Sequence, residues 1–370
     1  MARRGARIVV GLLSAALLMP TGYVAAGTAS ASATVSAAAP TAAASIVPEA
    51  RKATKKKTKK KTKKVCKIVK KRVGKKIKRV KKCKRVSVKK KKFSSLKRIT
   101  APSSSPIQPG FPHDGNTGAP ASMGLSVHDG DLTITTPGAV IDGRDIRGYV
   151  AIKAPNVTIK RSIIRGGGAA TVNRALLSAT HSGAANFLIE DVTVAPTNPS
   201  PYANGINVNQ AGTIRRANIS GTVDGIMIYG SGVRVEGSYL HHFAHYVNDP
   251  NWGGGPSHDD AIQVQSGDGV AIVGNSLTGA YNAAVMVTQD SGKTSNLAIN
   301  GNWMDYGGCS VNFGSNGGYK SGMQANGNRL GRAQRNRGCA IVHNAARSDL
   351  RPSANVWDDT SGAIAVTRGS

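Results

Sequence analysis

"LAINGNWMDY", residues 297–306, is the stretch on which the fold turns. A short apolar strand runs into Asn-Gly-Asn, and an apolar pair follows a polar step. The same shape recurs in "VTIKRSIIRG" (157–166), "FLIEDVTVAP" (187–196), "TIRRANISG" (213–221), "VRVEGSYLHH" (233–242), "VAIVGNSLTG" (270–279) and "MQANGNRLGR" (323–332). Each is accompanied by another strand, such as "GINVN", "GIMIY", "AIQVQ" or "AVMVT". Short regular strands separated by turns of variable length are the mark of a parallel β-solenoid. The reading is therefore all-β.

The alignment makes two checkable statements about register. Asn275, Asn302 and Asn328 fall at one position of three successive repeats, where stacked amides would bond to one another along the axis. Cys309 and Cys339 fall at one strand position of successive repeats. Neighbouring strands lie about 4.8 Å apart, a separation that a disulfide spans, so a Cys309–Cys339 staple is predicted.

Aligning the first strands gives a leading column of Arg174, Asn204, Asp224, Asp260, Ala283, Cys309 and Cys339. The outward row reads Leu177, Asn207, Met227, Gln263, Met286, Asn312 and Val342. Asp224 and Asp260 are thus predicted on adjacent repeats, with Asp259 one residue earlier. Two carboxylates that close are costly unless a cation or a shared proton relieves them. The longest insertion, "LHHFAHYVNDPNWGGGPSHDD", brings His241, His242, His245, Asp249, Trp252 and His258 to the same rim. A long Gly-rich loop of imidazoles and carboxylates on a spare scaffold suits binding or catalysis. The candidate catalytic residues are Asp224, Asp259, Asp260 and His258. The candidate substrate-binding residues are Arg174, Asn204, Asn207, Gln263, His241, His245 and Trp252. A zinc site from His241, His245 and His258 is a lesser alternative.

The repeat over about residues 130–345 resembles the right-handed parallel β-helix of the pectate lyase-like superfamily. The resemblance implies a single-stranded right-handed solenoid of about eight coils, with "SANVWDDTSGAI" (353–364) closing its end. "TVDG" (222–225) followed by "DDAIQVQSGDGVAI" (259–272) is similar to the polygalacturonase arrangement, which would make Asp224, Asp259 and Asp260 the acid and base carboxyls. That family's His-Gly motif is replaced here by "AYNAAVMV", and its Arg-x-Lys clamp is missing. The Asp-Ala-Ile strand start also resembles pectate lyases, which implies Ca²⁺ held by Asp224, Asp259 and Asp260. Both resemblances point to a lyase or hydrolase acting on an acidic, uronate-containing polysaccharide. The alternative is a non-catalytic polysaccharide-binding protein.

The N-terminus speaks to export. Arg3, Arg4 and Arg7 precede an apolar run from Ile8 to about Met19, and small residues follow. That run is too short to span a bilayer and reads as a signal peptide over 1–33. Residues 34–50 read as an Ala/Ser/Thr linker and residues 99–129 as a Pro/Ser/Gly linker, leaving 130–370 for the β-helix domain. The expected location is outside the cell, at the wall or free.

The net charge of +31 belongs mostly to one segment. Residues 51–98 hold 28 of the 50 Lys and Arg and no acid, whereas 99–370 hold 19 basic and 18 acidic residues. A solvated, disordered Lys-rich arm that meets an anionic surface or wall polymer is expected over 51–98. Within it, "VCKIVKKRVGKKIKRVKKC" (65–83) fits either a basic amphipathic helix or a Cys66–Cys83 hairpin. The near-neutral domain argues against nucleic acid as its partner, and a monomer is expected.

Overall fold

A computed structural model describes residues 62–73, 76–87, 98–99 and 109–369. The predicted signal peptide (1–33) and first linker (34–50) lie outside them, as does much of the arm. The described residues fall into two units, a hairpin within the first 89 residues and a coil domain beyond.

The coil domain is an all-β right-handed parallel solenoid. Among the described residues, three parallel sheets of ten, ten and nine strands run along it, each strand bonded to the coil before and the coil after except at the two ends. That makes nine complete coils and a partial tenth, against the expected eight. The excess arises at the C-terminal end, where Arg351–Ser353 completes a ninth coil and the "closing" segment adds a partial tenth through Val356–Trp357 and Thr367–Arg368. Weak repeats at the ends of a solenoid are harder to align because they pack on one neighbour only.

Inward columns of aliphatic side chains fill the interior. Ile159, Ile189, Ile214, Val235, Ile272 and Ile299 stack on one sheet, and Ile206, Ile226, Ile262, Val285 and Val311 on another, all without solvent exposure. Period-two alternation places their neighbours outward.

One turn repeats with a left-handed residue in coil after coil: Gly143, Arg161, Asp191, Arg216, Gly237, Gly274, Gly301, Gly327 and Ala354 all have φ between 46° and 64°. Glycine occupies the four consecutive turns 237 to 327, where the conformation costs it least. The residue that follows points into the turn and becomes the asparagine ladder. Asn275 Nδ2 donates to Asn302 Oδ1 (3.0 Å), Asn302 Nδ2 to Asn328 Oδ1 (3.1 Å) and Asn328 Nδ2 to Asn355 Oδ1 (2.8 Å). The ladder therefore runs one rung further than predicted. In the earlier coils the same edge carries ion pairs instead, including Arg161 with Asp142, and Arg216 with Asp191 (2.7 Å) and Glu190 (3.0 Å).

The Cys309–Cys339 disulfide forms as predicted, its Cα atoms 4.7 Å apart across adjacent strands. It closes a loop of 30 residues in sequence. Replacing both cysteines by serine is expected to cost about 3 kcal/mol on chain-entropy grounds. A lower midpoint in guanidinium unfolding would show it, and an unchanged midpoint would mean that the coil packing alone fixes these strands.

One expectation needs correction. The stretch 99–129 is not simply a linker. Arg98–Ile99 pairs antiparallel with His245–Tyr246. Gly118 N donates to Arg216 O (2.7 Å), and Asn218 Nδ2 donates to Asp114 Oδ1 (2.8 Å), so this segment lies along the coils. Within the Lys-rich arm, the hairpin alternative is the one that forms. Thr62–Val73 and Lys76–Ser87 form an antiparallel hairpin in which Cys66 faces Cys83 in a disulfide. The helical alternative for 65–83 fails, because the crosslink joins residues facing each other across a two-stranded ladder. All four cysteines are paired, which fits an oxidising compartment. Among the described residues no helix is long and apolar enough to cross a membrane.

Candidate functional site

The local chain path around Asp224 follows from Gly225. A Cβ there would lie 2.5 Å from Ala261 O and 2.9 Å from the Phe243 ring, so only glycine lets these coils stack. The strands that follow are locked in register, Ile226 facing Ile262, and this sets Asp224 opposite Asp260 as predicted. Asp260 N donates to Asp224 Oδ1 (3.0 Å), and Asn282 Nδ2 donates to Asp260 Oδ1 (2.9 Å). Asp260 Oδ2 is buried without a hydrogen-bond partner. Asp224 is 9% exposed and Asp260 1%.

Burial dominates the electrostatics of this pair. It pushes Asp224 up to about 7, helped by the charges of Asp259 and Asp249 and opposed by the Asp260 amide. Burial, then the charge of Asp224, holds Asp260 well above the usual carboxylate range. Burial therefore favours the protonated form in both groups.

Asp259 does something else. It is fully buried, its Oδ1 paired with His245 Nδ1 at 2.6 Å and its Oδ2 accepting from Tyr281 N at 2.7 Å. His245 stacks on the Tyr281 ring, and the Arg335 guanidinium covers that ring. This is an oriented Asp–His dyad, one residue away from the carboxyl pair. Asp249 anchors the insertion, accepting from Ser257 Oγ (2.7 Å) and Asn251 N (2.8 Å).

The expected calcium cup is not what these donors form. Ca²⁺ takes six to eight oxygens, while both oxygens of Asp259 and one each of Asp224 and Asp260 are already hydrogen-bonded. Among the described residues no three His, Cys, Asp or Glu side chains are arranged to hold a metal. The zinc alternative fails because its histidines lie apart. His241 bonds Asn218 Oδ1 (3.0 Å) and packs against His242 and Tyr239. His245 is held by Asp259, and His258 stacks on Trp252. Burial pushes His241 down to about 4. It serves the docking of the 113–118 segment, through Asn218 and Asp114, and is not brought to the acids.

The outward face of the first-strand sheet carries local cavities along a single row of side chains. Its row is Ser178, Asn207, Met227, Gln263, Met286, Asn312 and Val342. Leu177 points inward with no exposure, so the expected row slips by one residue at that coil. Arg174 slips with it: it faces Ala203, and Ala175 faces Asn204. The extra residue is absorbed in the preceding turn, which sequence alignment could not locate. Arg174 instead lies 3.3 Å over the Tyr149 ring and 3.2 Å from Asp131. These residues line a cavity of about 350 Å³ with Thr133, Ser178 and Asn207. Asn204 connects that row and the acids, its Nδ2 on Met227 Sδ (3.1 Å) and its Oδ1 accepting from Asp224 N (3.4 Å). Trp252, half exposed, and His258 form an open stacked platform.

Tyr149, Asp131, Asn282 and Tyr281 were missed in the sequence. Asn282 was within reach, since it precedes Ala283 in the leading column. Tyr149 and Asp131 had no such signal, because their coil lies before the repeats that align well.

Fold and site together define a right-handed parallel β-helix with a buried carboxyl pair, Asp224 and Asp260, at the start of the first-strand sheet. No protein-family model matches the chain, and no curated protein matches it.

Proposed function

We propose that the protein is an exported carbohydrate-active enzyme that hydrolyses an acidic, uronate-containing polysaccharide of the pectate lyase-like kind of substrate. The observation that carries this reading is the buried carboxyl pair Asp224–Asp260, with raised pKa values, beside the outward face of the first-strand sheet. Asp224, the more exposed partner, is the general acid that protonates the leaving glycosidic oxygen. Asp260 positions Asp224 through its amide, while burial and the charges of Asp259 and Asp249 limit the ionisation of Asp224. The dyad supplies the base: Asp259 accepts the Nδ1 proton of His245, which leaves Nε2 to receive a proton from water. Arg174, which lies over the Tyr149 ring and beside Asp131 in a cavity of that face, would meet a uronate carboxylate, and Trp252 with His258 would offer a face for sugar stacking.

The test is a panel of uronate polysaccharides assayed for new reducing ends and for the ultraviolet absorbance of unsaturated products. Reducing ends without that absorbance are expected. Activity should fall as pH rises past about 7, because the acid must be protonated and burial sets Asp224 there. Unsaturated product would replace hydrolysis by elimination. Binding without either product, unchanged in Asp224→Asn, would instead favour a non-catalytic binding protein, a reading supported by the Trp252–His258 platform and the Arg174 cavity.

A further inference from the structure

We propose that the disulfide-clamped hairpin of residues 62–87 is a binding site for linear polyanions, which it reads by charge density and not by any particular sugar or base. The proposal does not depend on whether the coil domain cleaves anything.

The argument begins with a conflict in the ladder. Thirteen of the 24 strand residues are Lys or Arg, and none is acidic. Register sets Lys67 opposite Lys82 and Lys70 opposite Arg79, and all four side chains are exposed, as are Lys81 and Lys84. Like charges directly opposite one another destabilise a strand pair. An isolated two-stranded hairpin is marginal even without that repulsion. Nothing between residues 51 and 98 neutralises it, since that segment has no acid.

The Cys66–Cys83 bond is what the sequence sets against the repulsion. It crosslinks facing residues within the ladder, five places into one strand and eight into the other. A polyanion laid along the ribbon would supply the missing counter-charge and release its own condensed ions. The clamp keeps the cations in rows before the ligand arrives, so little ordering entropy is lost on binding.

Composition selects the kind of ligand. The hairpin contains no aromatic residue on which a base or sugar ring could stack. Ten of its thirteen cations are lysines, point charges that tolerate varied anion geometry, where arginine would favour a paired-oxygen fit. The coil domain, with 19 basic and 18 acidic residues from 99 onward, adds almost no net attraction of its own. Long-range capture of a polyanion therefore falls to the basic segment.

The experiment uses the full chain and two probes of similar length, polygalacturonate and inorganic polyphosphate, titrated over a range of salt. The parent should bind both within a few-fold, with affinity falling steeply as salt rises. The variant Lys67→Gln/Lys70→Gln/Arg79→Gln/Lys82→Gln should bind both at least about tenfold more weakly at low salt, and its log–log salt slope should be shallower by about 3. The matched change Lys55→Gln/Lys56→Gln/Lys57→Gln/Lys59→Gln, outside the ribbon, should cost clearly less. Cys66→Ser/Cys83→Ser, which keeps every charge, should also weaken both probes several-fold while thermal unfolding of the coil domain is unchanged. Equal losses from the ribbon and the outside lysines would overturn the site. Full affinity without the disulfide would overturn the clamp. Binding of polygalacturonate alone would overturn recognition by charge density and place the contact in the coil domain.

Discussion

Asp224→Asn is expected to lower polysaccharide cleavage by about 10³-fold and, in the same protein, to raise stability at pH 8. The first effect is the ordinary loss on removing a general acid. The second follows from the direction of the shift. Asp224 has an ordinary value of 3.8 and is pushed up to about 7 in the folded chain. A carboxyl whose folded value is raised stabilises the fold below its unfolded value, and that contribution is lost as pH rises toward the folded value. Between about pH 4 and 7 the parent should therefore lose stability steadily, and Asp260, raised further, extends the loss to higher pH. An amide cannot ionise, so the variant should show a flatter profile and a gain of about 1–3 kcal/mol at pH 8. Thermal unfolding of both proteins from pH 4 to 8 measures it. Parallel profiles would mean that Asp224 is ionised in the native state with its charge compensated, and the acid role would fall with that result.

The second large effect is in the turn ladder. Asn302→Leu should destabilise the coil domain by about 3–5 kcal/mol. The side chain is fully buried. Its Oδ1 accepts from both Asn275 N (2.9 Å) and Asn275 Nδ2 (3.0 Å), and its Nδ2 donates to Ile272 O (2.9 Å) and Asn328 Oδ1 (3.1 Å). Leucine fills similar space but leaves the buried Asn275 N without its acceptor and removes one bond each from Asn275 Nδ2, Ile272 O and Asn328 Oδ1, which is the costly case. Guanidinium unfolding is the measurement. A loss below about 1 kcal/mol would show that the backbone bonds between coils carry the turn without the amides.

The fold was legible because a solenoid repeats its own instructions. Asn275, Asn302 and Asn328, and the cysteines at 309 and 339, fix the register in the coils where the repeat is cleanest. Asp224 and Asp260 could be placed opposite one another for the same reason. Arg174 and Leu177 were misplaced by one residue because nothing in the sequence says where a turn absorbs an extra residue. The roles inside the acid cluster were less legible. Asp259 and Asp260 are neighbours in sequence, yet one side chain goes to His245 and the other to Asn282. That divergence depends on how the inserted loop folds back, and the composition of the loop does not encode it. His241 was read with His245 because both sit in "LHHFAH", but the chain turns at His242, which has φ 49°, and sends the two rings to different neighbours.

The turn edge has one more consequence. Its early coils are held by partly exposed ion pairs, such as Arg216 with Glu190 and Asp191, and its later coils by buried amides. Dissolved ions weaken the first kind of bond and leave the second alone. A stack whose members lean only on their neighbours loosens from its weaker end. In brine the molecule would fray like a rope with one end whipped, opening at the coils near Arg161 and staying bound at Asn328.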